Sequence, residues 1–208
     1  MLFQMNEESP RHDLDKPVGL YIETKMYNFY LQVHGVDMAE KLYQTLRKYG
    51  LETVEQASAR LPIIVECFEK ESLWKFAELS DLPLVYLMFS PISSSVTYDL
   101  EDISGFAHAV GPHQNWLFQN ETFNATAPSR FVEECHRLEL AVHPYSLQDD
   151  MLKWTTAPLD EHELFANKQV DGIFTEFPHL TKAAFLRFKS LNEFPPASAI
   201  HEAGFMGV

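Results

Sequence analysis

The sequence predicts an α/β fold assembled from parallel strand-helix units, and three observations lead there. Short apolar runs alternate with amphipathic helical stretches along most of the chain. The runs at 63–68 and 84–89 are nearly continuous in apolar residues, as strands covered on both faces require. With 46% hydrophobic residues, 8 Gly and 12 Pro among 208 residues, the chain has enough apolar surface for a sizeable core. No internal repeat and no linker interrupts it, so residues 1–208 are expected to form one domain, with 195–208 an irregular Pro-rich tail.

Taken in order, residues 18–24 predict a strand. Residues 38–49 predict an amphipathic helix with Met38, Leu42, Leu46 and Tyr49 on one stripe and Gly50 as its C-terminal stop. A second strand at 63–68 precedes a helix over 72–79, where Leu73, Phe76 and Leu79 recur at helical spacing, and a third strand follows at 84–89. A Ser- and Pro-rich loop then leads to a short further strand within 105–112. Residues 128–138 predict a helix with Phe131, Cys135 and Leu138 on one face, and 140–145 a fourth main strand. A helix at 160–167, a fifth strand at 172–175 and a helical stretch opened by Pro178 complete the pattern.

Composition excludes several classes of function. A formal net charge of -14 is the wrong sign for general binding to nucleic acid phosphates or anionic membranes, so neither is expected as a partner. No run is long enough to span a membrane. Two cysteines, Cys67 and Cys135, make neither a disulfide framework nor a paired metal motif and read as buried or semi-buried thiols. The acidic first eight residues do not read as a signal peptide, yet the sequons at Asn120 and Asn124 suggest a secreted or extracytoplasmic setting.

The first strand closes in Ile22-Glu23-Thr24-Lys25. Alternation along a strand puts Tyr21, Glu23 and Lys25 on one side and Leu20, Ile22 and Thr24 on the other. Taken alone, the Glu23–Lys25 pair reads either as a salt bridge at a strand terminus or as a site holding a cation and an anion together. The other strand ends are equally distinctive: Glu66-Cys67-Phe68-Glu69, Gly111-Pro112, His143-Pro144-Tyr145 and Thr175-Glu176-Phe177-Pro178.

In order and spacing these ends resemble the glycerophosphodiester phosphodiesterase family, in particular its larger periplasmic-type and eukaryotic secreted members, over most of the chain. The resemblance rests on Ile22-Glu23-Thr24-Lys25, Gly35-Val36-Asp37, Lys48-Tyr49-Gly50, Glu66-Cys67-Phe68-Glu69, Val110-Gly111-Pro112, His143-Pro144-Tyr145 and Asp171-Gly172-Ile173-Phe174-Thr175-Glu176-Phe177-Pro178. Cys67 and Glu176 depart from the family's Ser and Asp. It implies a partial (β/α)8 TIM barrel comprising the later five or six βα units and lacking the first three strands. It also implies metal-dependent hydrolysis of glycerophosphodiesters to an alcohol and glycerol 3-phosphate. Glu23 would then be a ligand of a divalent cation, Ca²⁺ or Mg²⁺, Lys25 a phosphate contact, and Phe68, Tyr145 and Phe177 parts of the pocket wall.

The family's His-Arg, Glu-x-Asp and His-Asp motifs belong to the strands this resemblance does not cover, so no catalytic acid/base residue is identified. His12-Asp13 reads as a coincidental match. His34, His108, His113, His136, His143, His162 and His179 offer no evident substitute, although His143 and His179 stand where they could line a cleft. A barrel arc leaves open strand edges. The chain is therefore expected to be a piece of a longer fold, to need a complementary N-terminal segment or self-association, and to be inactive alone. The alternative is a noncatalytic module of the same fold that binds a phosphorylated ligand or a protein partner.

Overall fold

The computed structural model describes residues 18–118, 129–148, 151–153 and 155–191. Strands β1 (Leu20–Glu23), β2 (Ile63–Cys67), β3 (Leu84–Met88), β4 (Ala109–Pro112) and β5 (Ala141–Val142) form one parallel sheet in the spatial order β1-β2-β3-β4-β5. Each strand is thus added on the same side of the one before it. A doubly wound sheet reverses direction at a switch point, whereas one-way addition is how a βα barrel grows. The arrangement is consistent with an arc of such a barrel.

The helices are α1 (Tyr27–His34), α2 (Met38–Lys48), α3 (Val54–Arg60), α4 (Lys70–Ala77), α5 (Leu100–Ser104), α6 (Arg130–Arg137), α7 (Pro158–Asn167) and α8 (Pro178–Leu191), with a 3₁₀ turn at Gln114–Phe118. Local chemistry sets several boundaries. Asp37 caps α2 by accepting from the Glu40 N–H at 2.9 Å, and Thr53 caps α3 through the Gln56 N–H. Gly50, at φ 64°, takes the left-handed turn beyond α2, as its position after the apolar stripe predicts.

Alternation along the strands divides the core. Leu20, Ile22, Ile63 and Val65 face outward into a cluster with Leu46, Ala57, Leu73 and Phe76 from the helical layer. Met88, Val110 and Val142 face a second outer cluster with Cys135 and Phe165. Inside the curve lies a small third cluster of Ile64, Val85, Ala109 and Ala141, against which Tyr21 packs. Gly111 belongs to this inner face. A Cβ there would stand 2.5 Å from Leu87 Cδ2, so the glycine leaves room for the end of the Leu87 side chain. Both cysteines are buried free thiols.

Strands and helices fall where the sequence puts them, usually with shorter ends, with these differences. The predicted 105–112 strand is β4, and α1, α3 and α5 occupy stretches for which no helix was expected. Residues 172–175 do not form a regular strand. They run beside β5, with Asp171 N–H and Gly172 N–H both on Val142 O and Phe174 N–H on Pro144 O, but only Leu147 and Thr175 form a bridge. Pro144 has no N–H to return, which interrupts the ladder with this segment. The sequons, His12-Asp13 and the tail beyond 191 lie outside the described residues. Among the described residues, no helix is long and apolar enough to cross a membrane.

Candidate active site

At the C-terminal ends of β1, β2 and β3 the inner face opens into a cavity of about 320 Å³, lined by Glu23, Lys25, Glu66, Phe68, Leu87, Tyr145, Ser146 and Phe174. In parallel barrel architectures this is the end at which loops and strand termini collect functional groups. Alternation selects these residues: 23 and 25, 66 and 68, and 87 are all inward-facing positions of their strands. One wall is aromatic. Phe68 stacks on Phe89 with ring centroids 4.4 Å apart and meets Tyr145 edge to face at 5.9 Å, and Tyr145 meets His113 at 5.5 Å. The Tyr145 hydroxyl donates to Met88 O at 3.0 Å, which ties the segment after β5 to the end of β3.

The charged groups lie at the ends of β1 and β2. Glu23 and Glu66 are register partners on adjacent parallel strands, so their Cα atoms stand about 4.8 Å apart and their side chains share one face. Lys25 donates to Glu23 Oε2, and its side chain is 71% exposed while that of Glu23 is 21% exposed. Glu66 is 7% exposed, and its Oε2 atom is buried with no hydrogen-bond partner. Burial, reinforced by the Glu23 carboxylate and opposed by Lys25, pushes the Glu66 carboxyl up to about 8. The local balance is therefore two carboxyl groups against one ammonium.

Beneath this pair, the Tyr21 hydroxyl and His143 Nδ1 lie 2.9 Å apart, and Phe174 packs edge to face on Tyr21 at 4.8 Å. His143 thus has a partner that sequence reasoning did not find, and it belongs to the floor rather than the lining. Burial holds its imidazole below the usual histidine range. A Cβ on Gly172 would come within 2.9 Å of His143 Cδ2, so this glycine makes room for the ring.

Of the residues expected in the site, Glu23, Lys25, Phe68 and Tyr145 are brought together around one cavity. Phe177 is not among the lining residues; its ring neighbours His179 at 6.5 Å, and Phe174 lines the cavity instead. The cause is local: the Phe177 carbonyl accepts the Leu180 and Thr181 N–H groups, so the chain is already turning into α8 at that residue. Glu66 was visible in the sequence as part of a strand-end motif, but its pairing with Glu23 depends on the register.

A family model described as the glycerophosphoryl diester phosphodiesterase family matches residues 3–180. The chain belongs to that family. Among curated relatives, it is 26% identical over 187 residues to the Arabidopsis thaliana glycerophosphodiester phosphodiesterase GDPD6, an alignment covering 79% of this chain and 50% of that protein. It is 22% identical over 185 residues to GDPDL1 of the same plant, also named a glycerophosphodiester phosphodiesterase, covering 86% of this chain and 24% of that protein. The chain therefore spans about half the length of the first relative and about a quarter of the second.

Family membership raises the question of a divalent cation, and the donor set answers in part. Two carboxylates face one another at the mouth, one with an orphaned buried oxygen, and both are the hard anionic donors such an ion takes. Among the described residues no group of three His, Cys, Asp or Glu side chains comes together. The cavity thus offers two carboxyl groups of the kind such an ion would take, and any remaining positions would fall to water or other donors.

Proposed function

We propose that this chain carries one side of the active site of a metal-dependent glycerophosphodiester phosphodiesterase, which splits its substrate into an alcohol and glycerol 3-phosphate. The observation that carries the reading is the placement of Glu23 and Lys25 in one cavity, at the strand ends, beside an aromatic wall. Glu23 would hold the divalent cation, Ca²⁺ or Mg²⁺. When bound, such an ion neutralises phosphate charge and stabilises the charge that develops on oxygen during hydrolysis. Lys25, whose exposed ammonium rests on Glu23, would contact a phosphate oxygen as a point charge. Phe68 and Tyr145 form an apolar side against which the alcohol portion lies, and they exclude water from one flank of the phosphate. Phe177, at the start of α8, would shape the approach rather than the wall.

We take the chain as a single domain comprising the later part of a (β/α)8 barrel. General acid/base chemistry on a phosphodiester needs proton-handling groups on both sides of phosphorus. No histidine lines the cavity among the described residues, so that work would fall to the imidazoles of His-Arg and His-Asp motifs on preceding strands, with a Glu-x-Asp motif supplying further metal ligands. A complementary N-terminal segment carrying those strands is the partner this account requires.

The test is glycerol 3-phosphate release from glycerophosphocholine with Ca²⁺ or Mg²⁺, measured for the 208-residue chain and for a product of the same reading frame that carries the three motifs. No turnover is expected from the chain alone. Cation-dependent turnover abolished by Glu23→Ala is expected from the longer product. Turnover by the chain alone would refute the division of the site, and an active longer product indifferent to Glu23→Ala would refute the role of Glu23. The noncatalytic alternative predicts that neither protein turns over while the chain still binds glycerol 3-phosphate.

A further inference from the structure

We infer that Glu66 is a second carboxylate ligand of the divalent cation assigned to Glu23, so that adjacent strands β1 and β2 supply a matched pair of oxygen donors. This rests on the reading of Glu23 as a cation ligand and deepens it by naming a residue for which the family resemblance supplied no role.

Three independent observations carry it. The first is register: Glu23 and Glu66 are Cα partners on neighbouring parallel strands, and both side chains line the same cavity. Two carboxylates so placed can reach one ion, since oxygen ligands sit about 2.3–2.6 Å from Ca²⁺ and about 2.0–2.1 Å from Mg²⁺.

The second is the missing partner. Buried carboxylates in folded proteins are normally supplied with donors, and a buried oxygen left without one is costly. Glu161, which is 2% exposed, follows that rule: its carboxylate accepts from the Lys153 and Thr155 N–H groups and from the Thr155 hydroxyl. Glu66, 7% exposed, leaves Oε2 without any donor although it borders an open cavity. Glu52 Oε2 is the other such atom among the described residues, and Glu52 does not line this cavity.

The third is where the nearby cation goes. Lys25 donates to Glu23 Oε2 and leaves Glu66 unpaired, although all three line the cavity. Lys25 occupies an oxygen that the ion would take. Binding at the carboxylate pair would release its ammonium toward the cavity, where the phosphate is expected.

The test is calorimetric titration of the purified 208-residue chain with CaCl₂ and with MgCl₂, without substrate, with the melting temperature followed in parallel. Circular dichroism confirms that each variant is folded. Wild type is expected to bind one ion with a rise in melting temperature. Glu66→Gln and Glu23→Gln should each weaken binding at least tenfold, Glu66→Asp should keep part of it, and Glu52→Gln should leave it unchanged. If Glu66→Gln binds as wild type does while Glu23→Gln does not, Glu66 is no ligand and the role of Glu23 survives. If Glu66→Gln weakens binding but Glu66→Asp is no better, the loss comes from disturbed packing and the inference fails. If wild type binds neither ion at millimolar concentration, the inference and the reading of Glu23 fail together.

Discussion

Two carboxyl groups at this sheet, Asp171 and Glu66, are treated in opposite ways. Asp171, beside β5, has Oδ2 within 2.8 Å of the Val142 N–H, which it accepts, and within 2.8 Å of His136 Nε2. Glu66, at the end of β2, has a buried oxygen with no partner and a second carboxyl group opposite it. Asp171 fastens the segment after α7 to the sheet, while Glu66 lines a cavity and leaves one oxygen without a partner. A carboxylate whose donors come from the fold serves the fold; one the fold leaves without donors is available to a ligand.

The largest expected effect comes from breaking the satisfied end. Asp171→Ala should lower stability by about 2–3 kcal/mol, because it removes bonds from a charged acceptor and leaves the Val142 N–H unpaired in the sheet; urea unfolding monitored by circular dichroism measures this. Gly111→Ala comes next at about 1 kcal/mol, since the added methyl displaces the end of the Leu87 side chain, which can shift. The same unfolding curves should show it. Glu66→Gln, by contrast, should be neutral or stabilising by up to about 1 kcal/mol in cation-free buffer, because it removes a buried ionisable group that has no partner to lose. A loss as large as that of Asp171→Ala would erase the distinction between the two carboxylates.

A subtler effect concerns pH. The Asp171 hydrogen bond raises the His136 pKa above the ordinary 6.5, against the opposing effect of burial. A histidine raised in the folded state contributes its stabilisation fully below the unfolded pKa and loses it as pH rises through the folded one. The chain should therefore be less stable at pH 8.5 than at pH 6 by an increment that His136→Gln abolishes. Melting curves at the two pH values, wild type against variant, check the sign.

The same contrast explains what could be read in advance. The strands at 63–67 and 84–88 announce themselves as apolar runs, and α2 as an apolar stripe ended by Gly50. The α1 helix carries no such stripe: Phe29, Tyr30, Leu31 and Val33 are all exposed, so the periodicity that marks a half-buried helix is missing. Short α3 and α5 depend on caps at Thr53 and Asp99 more than on an apolar face. Within the site, Glu23, Lys25, Phe68 and Tyr145 were legible because strand alternation and motif order both pick them out. Glu66 was not singled out, since its significance arises from the residue beside it on β1 and from a bond it does not make. Phe174 was passed over for Phe177 because the turn into α8 decides which ring faces inward.

The most direct measurement of the central claim is an anomalous difference map from crystals of the chain grown or soaked with Mn²⁺ as a stand-in for Mg²⁺. The account predicts a peak between the Glu23 and Glu66 carboxylates, within about 2.0–2.6 Å of an oxygen from each. A map with no peak there, or with the ion bound at some other carboxylate, would contradict it.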